Sequence, residues 1–252
     1  MKVFVINRKR LMIIVGCFVT IFLTGAVTLQ NNIFFAKDRK LPIYCVDKKE
    51  KVVSISFDAA WGNEQTQTLI DILADKGVKA TFFLVGFWAE KYPESVKAIF
   101  EAGHDVGNHS DTHPHLPKLE KSKVIAQIED CNKKIEAVGA PRPILFRPPY
   151  GDYNNCVVES TNELNMHCIQ WDVDSLDWKD PTPEDMIKRI KSKIKPGSII
   201  LMHNGAKNTP SALPKIIDTI KSEGYEIVPI SQLIYKENYS INSQGKQLSA
   251  NN

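Results

Sequence analysis

Between His104 and Leu116 the chain reads H-D-V-G-N-H-S-D-T-H-P-H-L, thirteen residues that hold four of its six histidines. Two of these, His109 and His113, are four apart, a spacing that predicts two imidazoles on one side of a single helical turn, close enough for one metal ion. Two imidazoles and a carboxylate, with one position left for water, make a zinc-type hydrolytic site. Such a site needs a base to take the water's proton, an acid to protonate the leaving group, and N–H donors for the developing oxyanion. The sequence offers Asp58 as base and His203 as acid, with Asp177 to orient the His203 imidazole and Arg147 to keep the Asp58 carboxylate ionised. Trp178, Tyr150 and Leu201 would supply apolar walls.

Each of these residues also has a plainer role open to it. The histidine stretch could be a polar surface loop, Asp58 a turn or capping residue after a strand, Arg147 a structural ion-pair partner, and His203, before Asn204-Gly205, a turn residue. Asp174 and Asp177 could cap loops, and Asp172 is ambiguous. His104 and His115 are expected in structural or solvent-facing positions, and His167 as a core histidine within a strand.

The elements that must position these residues alternate regularly. Apolar, β-rich runs are expected as strands over 52–57, 80–85, 105–107, 144–146, 167–173, 198–202 and 225–228. Helical spacing is expected over 63–76, 93–102, 119–138, 155–164, 183–194 and 211–223, with Gly77, Gly103, Gly139 and Gly224 as stops and Thr182 as an N-cap. About seven strand–helix units predict an α/β fold with a parallel sheet closed toward a barrel. The residues of interest then fall at strand carboxyl ends, which in a (β/α) barrel meet on one face. Residues 51–236 form this domain, 31–50 a connector suited to a stalk, and 237–252 a tail rich in Asn, Ser and Gln that is expected to be disordered.

The formal charge of +3 sits at the amino terminus: Lys2, Arg8, Lys9 and Arg10 put +4 on the first ten residues and leave −1 on the rest. No basic field remains for a nucleic acid. Residues 11–29 carry no charge and are about as long as a bilayer-crossing helix. The basic cluster before them predicts a single-pass anchor within residues 1–30, with the domain outside the cytoplasm. A cleavable signal ending near Thr24-Gly25-Ala26, which would give a secreted protein, is the alternative. Lipidation at Cys17 is disfavoured, because few apolar residues precede it. Cys45, Cys131, Cys156 and Cys168 lack a C-x-x-C element and could pair in an exported protein. No G-x-G-x-x-G follows a strand, which argues against a dinucleotide enzyme.

Five motifs occur in order: Ser56-Phe57-Asp58, His109-Ser110-Asp111-Thr112-His113, Arg147-Pro148-Pro149-Tyr150-Gly151, Asp174-Ser175-Leu176-Asp177-Trp178 and Leu201-Met202-His203. Together they resemble the carbohydrate esterase family 4 polysaccharide deacetylases, the NodB-homology domain, over roughly residues 51–234. The resemblance implies a deformed (β/α)7 barrel and metal-dependent N-deacetylation of an N-acetylated glycan. It implies Asp58 as base, His203 as acid, His109 and His113 as ligands of Zn²⁺ or Co²⁺, and the Tyr150 N–H as oxyanion donor. Arg147 and Asp177 would support the catalytic pair, and Pro149, Tyr150, Trp178 and Leu201 would contact substrate. The F-D-A-A-W-G form of the first motif and the amino-terminal anchor look most like the sporulation-associated branch, whose substrate class is peptidoglycan.

One position departs from that pattern. Where the family usually carries a second aspartate that completes the metal site, this chain has Ala59. A methyl group cannot ligate a cation, so the site loses one anionic ligand. Three arrangements stay open: Asp58 turns to the metal, water fills the gap, or the domain binds glycan without efficient chemistry. Asp111 is expected to point away from the two histidines.

Overall fold

The computed structural model describes residues 39–250. The expected membrane segment lies outside the described residues, and among those described no helix is long and apolar enough to cross a membrane. Leu41–Asn252 forms one compact unit.

Its centre is strand β2 (Val52–Ala59), flanked by β3 (Thr81–Leu84) and β8 (Ile199–His203). Parallel sheets are covered on both faces, so such strands read as nearly continuous apolar runs. Ser54 and Ser56 interrupt the run in β2 and are satisfied, donating to the carbonyls of Val228 (2.7 Å) and Ile200 (2.8 Å). The sheet continues through β4 (Asp105–Asn108), β5 (Leu145–Phe146) and β6 (His167–Cys168) on one side, and β7 (Val173–Asp174) on the other. The resulting order, β6-β5-β4-β3-β2-β8-β7, is parallel throughout, and the short β9 (Glu226–Ile227) pairs with the start of β2.

Helices α1 (Thr66–Asp75), α2 (Gly86–Lys91), α3 (Pro93–Glu101), α4 (Lys121–Ala137), α5 (Asn155–Glu163), α6 (Pro183–Lys193), α7 (Thr209–Ser222) and α8 (Ile230–Leu233) connect the strands. Thr182 caps α6 as expected, its hydroxyl accepting from the Asp185 N–H at 3.2 Å, a contact worth about 0.5–2 kcal/mol. The main apolar cluster joins the sheet to α1, α2, α3, α4, α6 and α7, with Phe57 and Phe82 stacked at 4.9 Å between ring centroids.

This is the expected deformed seven-stranded barrel, with one break. The stretch expected as a single strand over 167–173 is two strands at opposite edges of the sheet, because residues 169–172 cross the gap between those edges. A strap from the supposed connector runs into the gap. The Ile43 N–H donates to Cys168 O (2.8 Å), Gln170 N–H to Ile43 O (2.7 Å), and Val46 N–H to Gly197 O (2.9 Å). Gly197 has φ +80, and the Val46 carbonyl sits where a Cβ would project, so only glycine lets the strap dock. Residues 41–50 are thus part of the domain and not a stalk: Ile43 and Val46 are buried in a second apolar cluster.

The tail is a correction as well. Residues 239–249, expected to be disordered, form a hairpin of β10 (Tyr239–Ile241) and β11 (Lys246–Ser249), and β11 pairs in parallel with β1 (Cys45–Val46). The tail's polar residues build the turn and fill a buried slot: Asn242 Oδ1 accepts from the N–H groups of Gln244 and Lys246, and buried Gln247 exchanges two hydrogen bonds with the Tyr235 backbone. Cys45, Cys131, Cys156 and Cys168 are free thiols.

Candidate active site

The carboxyl ends of β2, β4, β5, β7 and β8 deliver Asp58, His109, Arg147, Asp174 and His203 to one end of the sheet. Asp58 is buried, and its Oδ1 accepts from Arg147 Nη1 at 2.7 Å. Arg147 is fully buried. Its Nη2 donates to Ser56 Oγ (2.9 Å) and Gln170 O (3.2 Å), and its guanidinium lies 4.1 Å from the Phe83 ring centroid. Burial alone would raise the Asp58 pKa, but the charges of Arg147, His109 and His203 and the Arg147 hydrogen bond bring it below the usual carboxylate value. Asp58 is therefore held ionised, with Oδ2 free toward the histidines.

His109 and His113 converge, though not on a helical turn as the spacing predicted. They lie in a loop in which Ser110 (φ 68) and His113 (φ 57) are left-handed. The loop is fastened from three sides: Asn108 Oδ1 accepts from the Ser110 N–H (2.8 Å), Asn108 Nδ2 donates to Ile128 O in α4 (2.8 Å), and Ser110 O accepts from the Gly86 N–H of α2 (2.9 Å). As expected, Asp111 faces away from the two histidines, paired with Lys134 at 2.9 Å. His109 Nδ1 lies 2.7 Å from the Arg147 carbonyl. A carbonyl only accepts, so Nδ1 carries the proton and Nε2 is the bare nitrogen. That Nε2 is 3.2 Å from His113 Nε2 and 3.5 Å from Asp58 Oδ2. Burial holds both imidazoles below their ordinary pKa, against the raising effect of Asp58, and His113 is pushed down to about 4 by burial together with His109.

His203 is held by fully buried Asp177. Asp177 Oδ1 takes His203 Nδ1–H at 2.7 Å, and Oδ2 takes the His203 backbone N–H (2.6 Å) and the Thr209 hydroxyl (2.8 Å). The imidazole's Nε2 is left for the cleft. Burial opposes the charged form of His203, yet the hydrogen bond and charge of Asp177, with Asp58 and Asp174 behind them, raise its pKa. Asp174 caps the turn that follows it, accepting from the Leu176 N–H at 2.8 Å. Asp172 is structural, receiving Ser198 Oγ and the Ile199 N–H.

These groups open on a cleft of about 890 Å³. Asp58, His109, His113, His203, Tyr150, Trp178 and Leu201 line it as expected. Arg147 and Asp177 do not line it, and they act by holding Asp58 and His203. Pro149, expected to contact substrate, is buried and is not part of the cleft wall. Tyr150 has φ 60, a costly conformation for a bulky residue of the kind that collects at functional sites. Sequence reasoning passed over Trp61, Trp171, Asp180, Asn204 and Lys207, which also line the cleft. Trp61 alone had a signal, three residues after the base. Of the other histidines, His104 is buried and takes the Ala80 N–H at 3.2 Å, His115 pairs with Asp152 at 3.0 Å, and half-buried His167 lies 3.3 Å from the Tyr239 hydroxyl.

The donor set can be tested against a metal. Two nitrogens about 2.0–2.1 Å from one tetrahedral ion would lie roughly 3.3 Å apart, close to the 3.2 Å between the two Nε2 atoms. His109 also has the backing usual for a ligand histidine, its other N–H given to a carbonyl. His113 lacks that backing, because its buried Nδ1 has no partner. Among the described residues no three His, Cys, Asp or Glu side chains converge on one ion. Ala59 is packed in the main apolar cluster and does not line the cleft. The residues therefore fit a divalent ion as a two-nitrogen site with Asp58 Oδ2 as the neighbouring anion.

Comparison with known proteins agrees with this geometry. Residues 46–169 match the polysaccharide deacetylase family. A peptidoglycan-N-acetylglucosamine deacetylase of Bacillus cereus is 32% identical over 194 residues, covering 75% of this chain and 91% of that protein. The peptidoglycan-N-acetylmuramic acid deacetylase PdaC of Bacillus subtilis is 35% identical over 188 residues, covering 75% of this chain and 40% of PdaC. The chain spans 60% of one Bacillus subtilis relative, to which it is 35% identical, and 40% of PdaC. Among solved structures, a CE4 family pseudoenzyme from Bacillus anthracis superposes with a TM-score of 0.75 at 37% identity, covering 77% of this chain and 69% of that one. A mutant described as a CE4 family pseudoenzyme with restored enzymatic activity superposes equally well, at 38% identity over 77% of this chain and 71% of that one. With its five motifs on the strand ends of a seven-stranded barrel, the chain belongs to the polysaccharide deacetylase family, carbohydrate esterase family 4.

Proposed function

We propose that this chain hydrolyses the N-acetyl groups of a cell-wall glycan, peptidoglycan being the substrate class, with the help of a divalent ion such as Zn²⁺. The observation that carries this reading is the pairing of a carboxylate held ionised by Arg147 with an imidazole held ready for protonation by Asp177, both opening on one cleft. The names of the Bacillus cereus and Bacillus subtilis relatives supply the substrate class.

His109 Nε2 and His113 Nε2 would hold the ion, which when bound polarises the amide carbonyl and acidifies water. The chain's own residues then divide the proton work. Asp58 Oδ2 takes a proton from the water that attacks the acetyl carbon, because Oδ1 is occupied by Arg147. His203, protonated at Nε2, gives its proton to the amide nitrogen as the C–N bond breaks, leaving acetate and a free amine on the sugar. Asp177 receives Nδ1–H and stabilises the imidazolium throughout. The Tyr150 backbone N–H would serve as the oxyanion donor, a role supported by the residue's left-handed turn and its place in the cleft wall.

The test is acetate release from N-acetylated glycan chains with added Zn²⁺ or Co²⁺. No acetate from any such glycan at any metal concentration would sink the hydrolytic reading. A second reading, a glycan-binding protein on a weakened esterase domain, is favoured by Ala59 and by the likeness to a pseudoenzyme. It predicts glycan binding that survives His109→Ala, whereas a metal-dependent loss on that substitution would count against it. The uncharged run at 11–29 behind a basic cluster supports placing the domain outside the cytoplasm, on a membrane anchor, where peptidoglycan lies. Release of the protein from membranes by alkaline washing would overturn the anchor. The F-D-A-A-W-G motif supports a role in sporulation, and an unchanged spore cortex in a deletion strain would argue against it.

A further inference from the structure

The geometry points to Trp61 as a glycan-stacking platform that positions the sugar chain across the active cleft. The inference rests on the deacetylase reading only for the chemistry of the ligand, a chain of N-acetylated sugars.

Five large apolar side chains are left exposed among the described residues, and three of them, Trp61 (63%), Tyr150 (57%) and Trp178 (56%), line this one cleft. Exposed aromatic surface costs hydration, and its concentration at a concave site marks a binding face. The flat faces of pyranose rings carry C–H groups that suit an aromatic plane. The three rings also have an order. Tyr150 and Trp61 both meet the His113 ring edge-on, at 4.5 and 4.8 Å between centroids, so they stand on the metal-ligand side. Trp178 follows Asp177 directly, on the side of the acid His203. A sugar chain lying across the reacting centre therefore has an aromatic wall at each end.

Trp61 differs from the other two in how its backbone is fixed. The Gly62 carbonyl accepts from buried Trp88 Nε1 at 2.7 Å and from Asn204 Nδ2 at 3.3 Å. The loop after β8 passes so close beneath that a Cβ on Gly205 would come within 2.6 Å of the Trp61 carbonyl oxygen. Two buried side chains and a glycine contact thus hold the turn, while the indole, apart from its edge contact with His113, is exposed. A fixed backbone carrying an exposed flat ring loses little entropy on binding.

The experiment is calorimetric titration of the metal-free protein with N-acetylglucosamine tetramer, alongside an acetate-release assay on the same preparations. Trp61→Ala and Trp61→Leu should weaken binding about tenfold, the size of an aromatic stacking contribution, and Trp61→Phe should stay within about threefold. Affinity in Trp61→Ala within twofold of wild type overturns the inference, as does an equal loss in Trp61→Phe. Binding that depends on Trp61 without acetate release upholds the inference and sinks the hydrolytic reading. Acetate release with binding indifferent to Trp61 does the reverse. Unaltered melting temperatures in the three variants guard against misfolding, and Trp61→Leu against Trp61→Phe carries the test if Trp61→Ala melts early, equal affinity in those two overturning the inference.

Discussion

Asp58 and His203 are register partners: on the parallel pair β2 and β8 their Cα atoms lie directly opposite. Side chains opposite each other on neighbouring parallel strands leave the sheet on the same side, about 4.8 Å apart. The proposed base and acid are therefore set by backbone hydrogen bonding and not by flexible loops. A slip of one residue would turn one of them to the other face. Asp58→Asn and His203→Ala should each lower acetate release about 10²–10⁴-fold while leaving glycan affinity within a few-fold. Steady-state rates alongside binding titrations check this, and a large loss of affinity with unchanged turnover would refute the assignment.

Arg147 makes its own prediction because it is buried with its charge. Arg147→Met removes the partner of the Asp58 carboxylate and leaves an uncompensated anion, which should cost about 3–5 kcal/mol. Arg147→Lys keeps the charge but loses the fork that reaches Asp58, Ser56 and Gln170 together, and should fall between wild type and Arg147→Met. Urea unfolding would measure both, and equal stability of wild type and Arg147→Met would contradict the ion pair's role.

The pH dependence turns on His203. Its folded-state pKa is raised above the ordinary 6.5 by Asp177 in spite of burial. Its contribution to stability is therefore complete below about 6.5 and is lost as pH rises through the raised value. As an acid it must be protonated, so the alkaline limb of the rate profile should follow the same value. Asp177→Asn should move that limb to lower pH and reduce the maximal rate. A pH–rate series on both proteins checks the shift, and an unmoved limb would show that some other group sets it.

Ala59→Asp would put a carboxylate into the apolar cluster where Ala59 is fully buried. Without metal the variant should melt several degrees below wild type, because a buried unpaired anion is costly. With Zn²⁺ the loss should shrink if the new carboxylate reaches the ion beside His109 and His113. Melting curves with and without Zn²⁺ decide it. A metal-independent loss would mean that the carboxylate cannot reach the two nitrogens.

Deleting residues 239–252 should destabilise the whole domain and not merely shorten it. Gln247 would no longer satisfy the Tyr235 backbone, and Val46 would lose its β11 partner. Thermal unfolding of the shortened chain tests this, and an unchanged midpoint would return the hairpin to the status of an appendage.

Much of the site was legible because its residues end apolar runs, and the alternation of runs with helical stretches places their ends together. Asp58, His109, His113, Arg147, Asp177 and His203 all fall where that logic puts them. The two histidines do converge, but not through the helical turn that their spacing predicts. Two left-handed residues, Ser110 and His113, fold the loop back on itself, and no periodicity signals such a turn. The split of the 167–173 run was hidden because strands of two residues carry no pattern of their own. The tail misled because polar residues that serve as turn formers and buried amides have the composition of a disordered segment. Pro149 was assigned to substrate through its motif, yet it packs inside while its neighbour Tyr150 takes the exposed position.

The pairing of β1 with β11 joins residues near both ends of the domain, Cys45 with Lys246. Contacts so distant in sequence form late, since the loop-closure entropy must be met before they contribute. A growing chain can assemble the β2–β3–β4 sheet and its helices well before β11 exists, but its seam stays unlatched until that strand has been made. The β10–β11 hairpin is thus the bolt of that seam, closing on β1 only after the rest of the sheet is in place.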